Sequence, residues 1–165
     1  MSCMVRTIKE IKVLIGQVHL TRPPHLLQSV LGSCIGLVIY DLETRLTGMA
    51  HVLLPHSDGK PRGVLPGKYG DHAVSCIIEG LLTHGAARSR LRAKMAGGAR
   101  MFGHALDYQR DIGSGNIASV ETSLKQAGIP VVAQHVGGTL GRRIEFDPES
   151  LNLVVEDFGE RSLII

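Results

Sequence analysis

Two residues of this sequence have the types and the spacing for nucleophilic chemistry. Cys34 follows Gly32-Ser33 in a break between two apolar runs, and His51 stands 17 residues on, inside the otherwise apolar run GMAHVLL. A free thiol titrates near ~8.5, and a neighbouring imidazole is the minimal device for activating it. A Gly-Ser-Cys turn can also present a side chain and bring backbone N–H groups close to a ligand. Each residue alone has a plainer reading. A free Cys is among the most buried residue types, and a lone His in an apolar strand is most often a hydrogen-bonded core residue. The joint arrangement, with the glycine turn and a long loop after His51, puts catalysis level with packing.

For Cys34 and His51 to meet, the runs that carry them must pair. Residues 26–31 (LLQSVL) and 35–40 (IGLVIY) read as strands flanking Gly32-Ser33-Cys34, and 48–54 (GMAHVLL) as another, reached through a polar turn at 41–47. Met49, His51 and Leu53 then share one strand face. Upstream, 11–20 (IKVLIGQVHL) alternates at period two and reads as one strand, ended by Arg22-Pro23-Pro24. The connection 55–70 holds three prolines and four glycines, and loops of that length in compact domains are often functional. Residues 71–83 read as a helix with Ala73, Cys76, Ile77, Gly80, Leu81 and His84 on its apolar stripe. A second helix is expected over 116–127, capped by Ser114 or Asn116 and stopped by Gly128. Its apolar stripe is Ile117, Val120, Leu124 and Ala127. Residues 90–96 (RLRAKMA) alternate basic and apolar, as an edge or one-sided strand would. Strands are also expected at 129–136, 142–147 and 151–155. This order is a mixed α+β pattern in one domain spanning 1–165, and no G-x-G-x-x-G follows a strand.

Composition removes several function classes. At 165 residues with 44% hydrophobic and 20% charged residues, the chain can build one core and is not disordered. Aromatic residues are 4%, with no Trp, and the net charge is +3; stacking on single-stranded nucleic acid is therefore not expected, and no nucleic-acid partner is read. No run approaches the ~20 apolar residues of a membrane span. The three cysteines, Cys3, Cys34 and Cys76, form no C-x-x-C, which points to free thiols, a reducing compartment and a cytoplasmic protein. Cys76 is expected to pack a helix. His72 and Cys76 have i,i+4 ligand spacing but no evident third ligand, so neither metal nor cofactor is expected. His56, His84, His104 and His135 have no motif context. Gly137-Gly138 and Gly141-Arg142-Arg143 could cradle an anion, though a plain turn is the simpler account. Arg88, Arg90, Arg92, Lys94 and Arg100 form an acid-free basic segment, whose functional reading is a docking face for an acidic partner.

Several motifs together resemble the CheD family of chemoreceptor glutamine deamidases. They are LGSC at 31–34, GMAHVLLP at 48–55, Lys68-Tyr69, AKMAGGARMF at 93–102, Ile112-Gly113, Asn116, GIPVVA at 128–133, VGG at 136–138 and GRRIEFD at 141–147. The match runs in order over nearly the whole chain. It implies packed β-sheets with flanking helices, similar to the catalytic domain of the cytotoxic necrotizing factor toxins. It implies catalytic roles for Cys34 and His51, and a third, hydroxyl-bearing residue on the strand before the Cys. The family usually has Thr there; Ser29 is the stand-in here, with Gln28 on the other strand face. Gln134-His135 departs from the acidic residues common in the family. The implied reaction converts receptor glutamine to glutamate through a thioester, with backbone N–H groups of the Gly32-Ser33-Cys34 turn as oxyanion donors and some methylesterase activity. Implied partners are the cytoplasmic helical domains of chemoreceptors and the phosphatase CheC. A non-catalytic adaptor binding the same partners and a Cys34 redox sensor are the alternatives.

Overall fold

A computed structural model describes residues 7–101, 111–159 and 161–165. Cys3, Phe102, His104 and Glu160 lie outside the described residues. Strands β1 (Glu10–Lys12), β2 (Val18–Thr21), β3 (Leu26–Leu31), β4 (Ile35–Asp41) and β5 (Thr47–Val52) come first. Helix α1 (Gly70–Thr83), a single 3-10 turn (Arg88–Arg90), β6 (Leu91–Gly97) and helix α2 (Ile112–Ala127) follow. The chain closes with β7 (Val131–Val136), β8 (Arg142–Asp147), β9 (Asn152–Asp157) and β10 (Ser162–Ile164). The strands form two five-stranded mixed sheets, ordered β2-β5-β4-β6-β7 and β1-β3-β8-β9-β10. The expected α+β class is the one observed.

Helices, first sheet and second sheet stack as three layers with two apolar seams. Between helices and sheet, Ile77, Leu81, Val120 and Leu124 pack with Leu37, Ile39, Ala50 and Val52. Between the sheets, Val38, Tyr40 and Met49 pack with Leu27, Ile144, Phe146 and Val155. β4 serves both seams, so every one of its residues is buried; this is why 35–40 reads as a continuous apolar run without alternation. Tyr40 stacks on Phe146 across the sheets, with ring centroids 5.3 Å apart.

Four expectations need correction. Residues 11–20 are two strands in different sheets. Gly16, at φ 80, turns the chain between them, and its N–H and carbonyl bond His51 O and Gly67 N. The apparent alternation over 11–15 is a crossover in which Val13 is buried and Leu14 and Ile15 are exposed. β6 is an interior strand, antiparallel to β4 and parallel to β7. Its Lys94 is buried and donates to the carbonyls of Leu151 (2.6 Å) and Ile165 (2.8 Å). α2 begins four residues early, capped by Asp111, whose carboxylate accepts from Gly113 N (3.1 Å) and Ser114 Oγ (2.6 Å). Asn116 is therefore inside the helix. On α1 the buried stripe is Ala73, Val74, Ile77, Ile78 and Leu81, which leaves Cys76 half-buried at its margin and His84 exposed.

The basic segment is partly engaged within the fold, with Arg88 left exposed. Arg90 pairs with Asp41 (3.0 Å), Arg100 lies 3.5 Å from Asp111, and Arg92 donates to the carbonyls of Ser89 and Leu91. The 137–143 loop is no anion cradle. The Arg142 guanidinium is buried and donates to the carbonyls of His135 (2.6 Å), Leu140 (3.3 Å) and Gly137.

Candidate active site

The hairpin β4–β5 brings the nucleophile candidate and the imidazole to one face. The two strands pair antiparallel with Gly36 opposite His51. Cys34 lies one residue before β4 and two before Gly36, so the pleat puts it on the same face as His51, diagonal to it. That face turns toward the second sheet, where Cys34 belongs to the inter-sheet cluster. Gly36 carries no side chain because none fits. A Cβ there would stand 2.3 Å from Ile144 Cδ1 and 3.0 Å from Leu31 Cδ1.

The facing sheet supplies the hydroxyl. On β3, Ser29 points inward and Gln28 outward, where Gln28 Nε2 donates to Glu145 Oε2 at 2.5 Å. Ser29 Oγ is 2.9 Å from His51 Nδ1 and 2.8 Å from Val13 O, and His51 Nδ1 is itself 3.1 Å from Val13 O. A carbonyl can only accept, so a bare Nδ1 beside Val13 O would set two lone pairs against each other. The arrangement assigns the proton to Nδ1. Nδ1–H donates to Ser29 Oγ and Val13 O, and the Ser29 hydroxyl donates to Val13 O. Nε2 then carries the lone pair. Thus Ser29 and the crossover residue Val13 together select the tautomer, as the third member of a catalytic triad does.

Burial shifts both Cys34 and His51 toward their neutral forms. Cys34 and His51 are both buried, at 7% and 4% exposure. Desolvation pushes the Cys34 thiol above its ordinary value. It also pulls the His51 imidazole below its own, against a smaller opposing effect of the Val13 hydrogen bond. Both shifts favour the neutral forms, thiol and imidazole. A cleft of about 790 Å³ reaches Ser29 and His51 between Val13, Leu14, Ile15 and Val30.

The turn that carries Cys34 is held by residues whose part the sequence did not reveal. Ala99 N donates to Gly32 O (3.0 Å), Asn116 Nδ2 to Ser33 O (3.0 Å), and Gly98 N to Cys34 O (2.9 Å). Gly97, at φ 110, lets β6 approach this closely, since a Cβ there would lie 2.1 Å from Cys34 O. Asn116 Nδ2 also donates to Leu53 O (3.1 Å), two residues beyond His51. The Gly-Gly pair after an apolar strand was the available signal. Asn116 stands among the motifs of the family resemblance, but local pattern reads it as a helix cap and not as a tether of the Cys34 turn. Among the described residues, no group of three or more His, Cys, Asp or Glu could hold a metal ion. No described helix is long and apolar enough to cross a membrane.

Fold and site together define an α+β protein with a thiol and an imidazole on one strand face and a hydroxyl of the facing sheet against the imidazole. Residues 53–157 match the family model described as CheD chemotactic sensory transduction. The chain is 45% identical over 159 residues to the Oceanobacillus iheyensis protein named "Probable chemoreceptor glutamine deamidase CheD", covering 94% of this chain and 95% of that one. It is 42% identical to the Halalkalibacterium halodurans "Chemoreceptor glutamine deamidase CheD", covering 93% and 98%. The protein of the same name from Bacillus licheniformis is 39% identical, covering 94% of each chain. The chain belongs to the CheD family.

Proposed function

We propose that this chain is a chemoreceptor glutamine deamidase, a hydrolase of glutamine side-chain amides, and that Cys34, His51 and Ser29 carry the reaction. The observation that supports the site most directly is the Ser29 Oγ–His51 Nδ1 contact of 2.9 Å, with His51 on the strand face that bears Cys34.

In this reading the reaction starts from the neutral thiol and imidazole, the forms that burial favours. As Cys34 Sγ attacks the carboxamide carbon of a receptor glutamine, His51 Nε2 takes the thiol proton. The carbonyl π pair moves to oxygen and gives a tetrahedral oxyanion. His51, now imidazolium, returns that proton to the amide nitrogen as the C–N bond breaks, and ammonia leaves a thioester. Water attacks the thioester carbon while Nε2 takes one of its protons. The C–S bond breaks, glutamate departs, and the Cys34 thiolate recovers its proton from His51. Backbone N–H groups of the Gly32-Ser33-Cys34 turn face the oxyanion. A glutamyl methyl ester would follow the same acyl-enzyme route with methanol leaving, so methylesterase activity belongs to this reading. The substrates are the cytoplasmic helical domains of chemoreceptors, which places the enzyme in the cytoplasm. The family resemblance adds the phosphatase CheC as a partner.

The test is deamidation of a receptor cytoplasmic fragment, followed by peptide mass. The wild-type chain should convert specific glutamines to glutamate, and Cys34→Ala and His51→Ala should abolish the conversion. Full activity in Cys34→Ala would overturn the mechanism. Receptor binding without any conversion by the wild type would instead make the chain an adaptor.

A further inference from the structure

We propose that Asn116 is a positioning residue that sets the oxyanion-stabilising peptide and its spacing from the base; this rests on the deamidase reading of the site. Its carboxamide is fully buried, and both Nδ2 hydrogens are used. One goes to Ser33 O at 3.0 Å and the other to Leu53 O at 3.1 Å. The first acceptor adjoins Cys34, and the second lies two residues beyond His51. One planar NH2 group therefore ties the nucleophile's turn to the base's strand.

The same bond orients the Ser33–Cys34 peptide. Among the described residues the cis peptide bond is Pro23–Pro24, so the Ser33–Cys34 bond is trans. In a trans peptide, C=O and N–H point in opposite directions. Asn116 belongs to α2, on the helix side of the first sheet, and holds Ser33 O toward that side. The Cys34 N–H is thereby turned to the opposite side, where the Cys34 and His51 side chains lie. Ala99 N on Gly32 O and Gly98 N on Cys34 O fix the flanking peptides of the turn. The donor is then in place before charge develops, which is the condition for efficient oxyanion stabilisation.

The amide's other end supports a positional purpose. Asn116 Oδ1 is buried without a hydrogen-bond partner. Flipping the amide would only worsen matters, by aiming Oδ1 at two carbonyls and orphaning the NH2. An uncompensated acceptor in a helix core costs stability, and this cost is accepted where the NH2 bonds the carbonyls of Ser33 and Leu53.

Two variants test this. Asn116→Asp keeps the volume and removes the NH2 donor, and Asn116→Ala removes both. Deamidation kcat should fall about 10²-fold, with KM within about twofold of wild type, because the donor acts on charge formed only in the transition state. Alkylation of Cys34 by iodoacetamide passes through no oxyanion, so its rate should stay within about twofold. Wild-type kcat in both variants would overturn the proposal. So would alkylation falling in step with kcat, which marks a collapsed turn. Turnover of p-nitrophenyl acetate by Cys34 gives a second reading, since its tetrahedral intermediate needs the same donor. If the wild type turns over the ester but no receptor glutamine, the deamidase reading fails, while the ester rates of the variants still decide the role of Asn116.

Discussion

At the residue scale, burial pushes the Cys34 thiol up and the His51 imidazole down, so both shifts favour the neutral forms. Ser29 and Val13 hold the His51 proton on Nδ1 and leave the Nε2 lone pair available to the proposed reaction. Ser29→Ala should lower kcat about tenfold, as the imidazole loses one of its two orienting acceptors, and Ser29→Thr should recover most of the loss. Steady-state deamidation kinetics check both. The pKa directions give a second expectation. With the imidazole depressed, His51 stays unprotonated to lower pH, so the acid limb of kcat/KM should fall below the ordinary imidazole value of ~6.5. With the thiol raised, iodoacetamide should react slowly with Cys34 at neutral pH and speed up only above ~8.5. A preformed thiolate–imidazolium pair would instead show fast alkylation already at mildly acid pH.

Elements position these residues through close backbone approach. The end of β6 runs against the Cys34 turn so tightly that Gly97, at φ 110, has no room for a Cβ. Gly97→Ala should cost at least about 3 kcal/mol, since strain at a left-handed backbone adds to an overlap with main-chain atoms that cannot swing away. Chemical denaturation measures it, and Cys34 activity should fall with it. An Ala variant as stable as wild type would mean that β6 does not seat the turn. Much of this was legible in the sequence. The runs at 26–31 and 35–40 became β3 and β4 at nearly those bounds, because each is bracketed by turn residues. The 11–20 run was not legible, because a crossover between two sheets mimics the period of one strand. Nor was the interior place of β6. Lys94 made it look one-sided, and only the carbonyls of Leu151 and Ile165, distant in sequence, explain a buried ammonium.

On the scale of the whole molecule, the β4–β5 hairpin is anchored to the chain leading into β6 by one buried carboxylate. Asp41 is fully buried, and burial alone would raise its carboxyl. Arg90 and the backbone N–H groups of Thr44, Ala87 and Glu43 outweigh that and hold it well below the usual carboxylate range. Its folded value is lower than its unfolded value of ~3.9. The stabilisation is therefore complete above the unfolded value and drains away as pH falls below it. Asp41→Asn should lower stability near neutral pH, since it removes the charge that Arg90 and three backbone N–H groups bond and leaves Arg90 only Glu43 at 3.5 Å. The variant should also lose less stability than wild type between about pH 4 and 2. Urea denaturation across that range reads both effects, and parallel acid profiles would remove Asp41 from this role.

The sequence by itself determined which residues are the candidates for chemistry. A thiol after Gly-Ser and a histidine in an apolar strand are local facts; the hydroxyl one strand earlier comes from the family resemblance that the motifs carry in order and spacing. It also determined most elements, because strand runs, caps and glycine stops act over a few residues. The tertiary structure alone decided how those residues relate. Ser29 meets His51 only because two sheets pack face to face, and Val13 joins them only because the chain crosses between sheets at Gly16. Asn116 reaches the nucleophile's turn from a helix more than 80 residues downstream. Such contacts depend on layers closing over long loops, and no local pattern of residues encodes them.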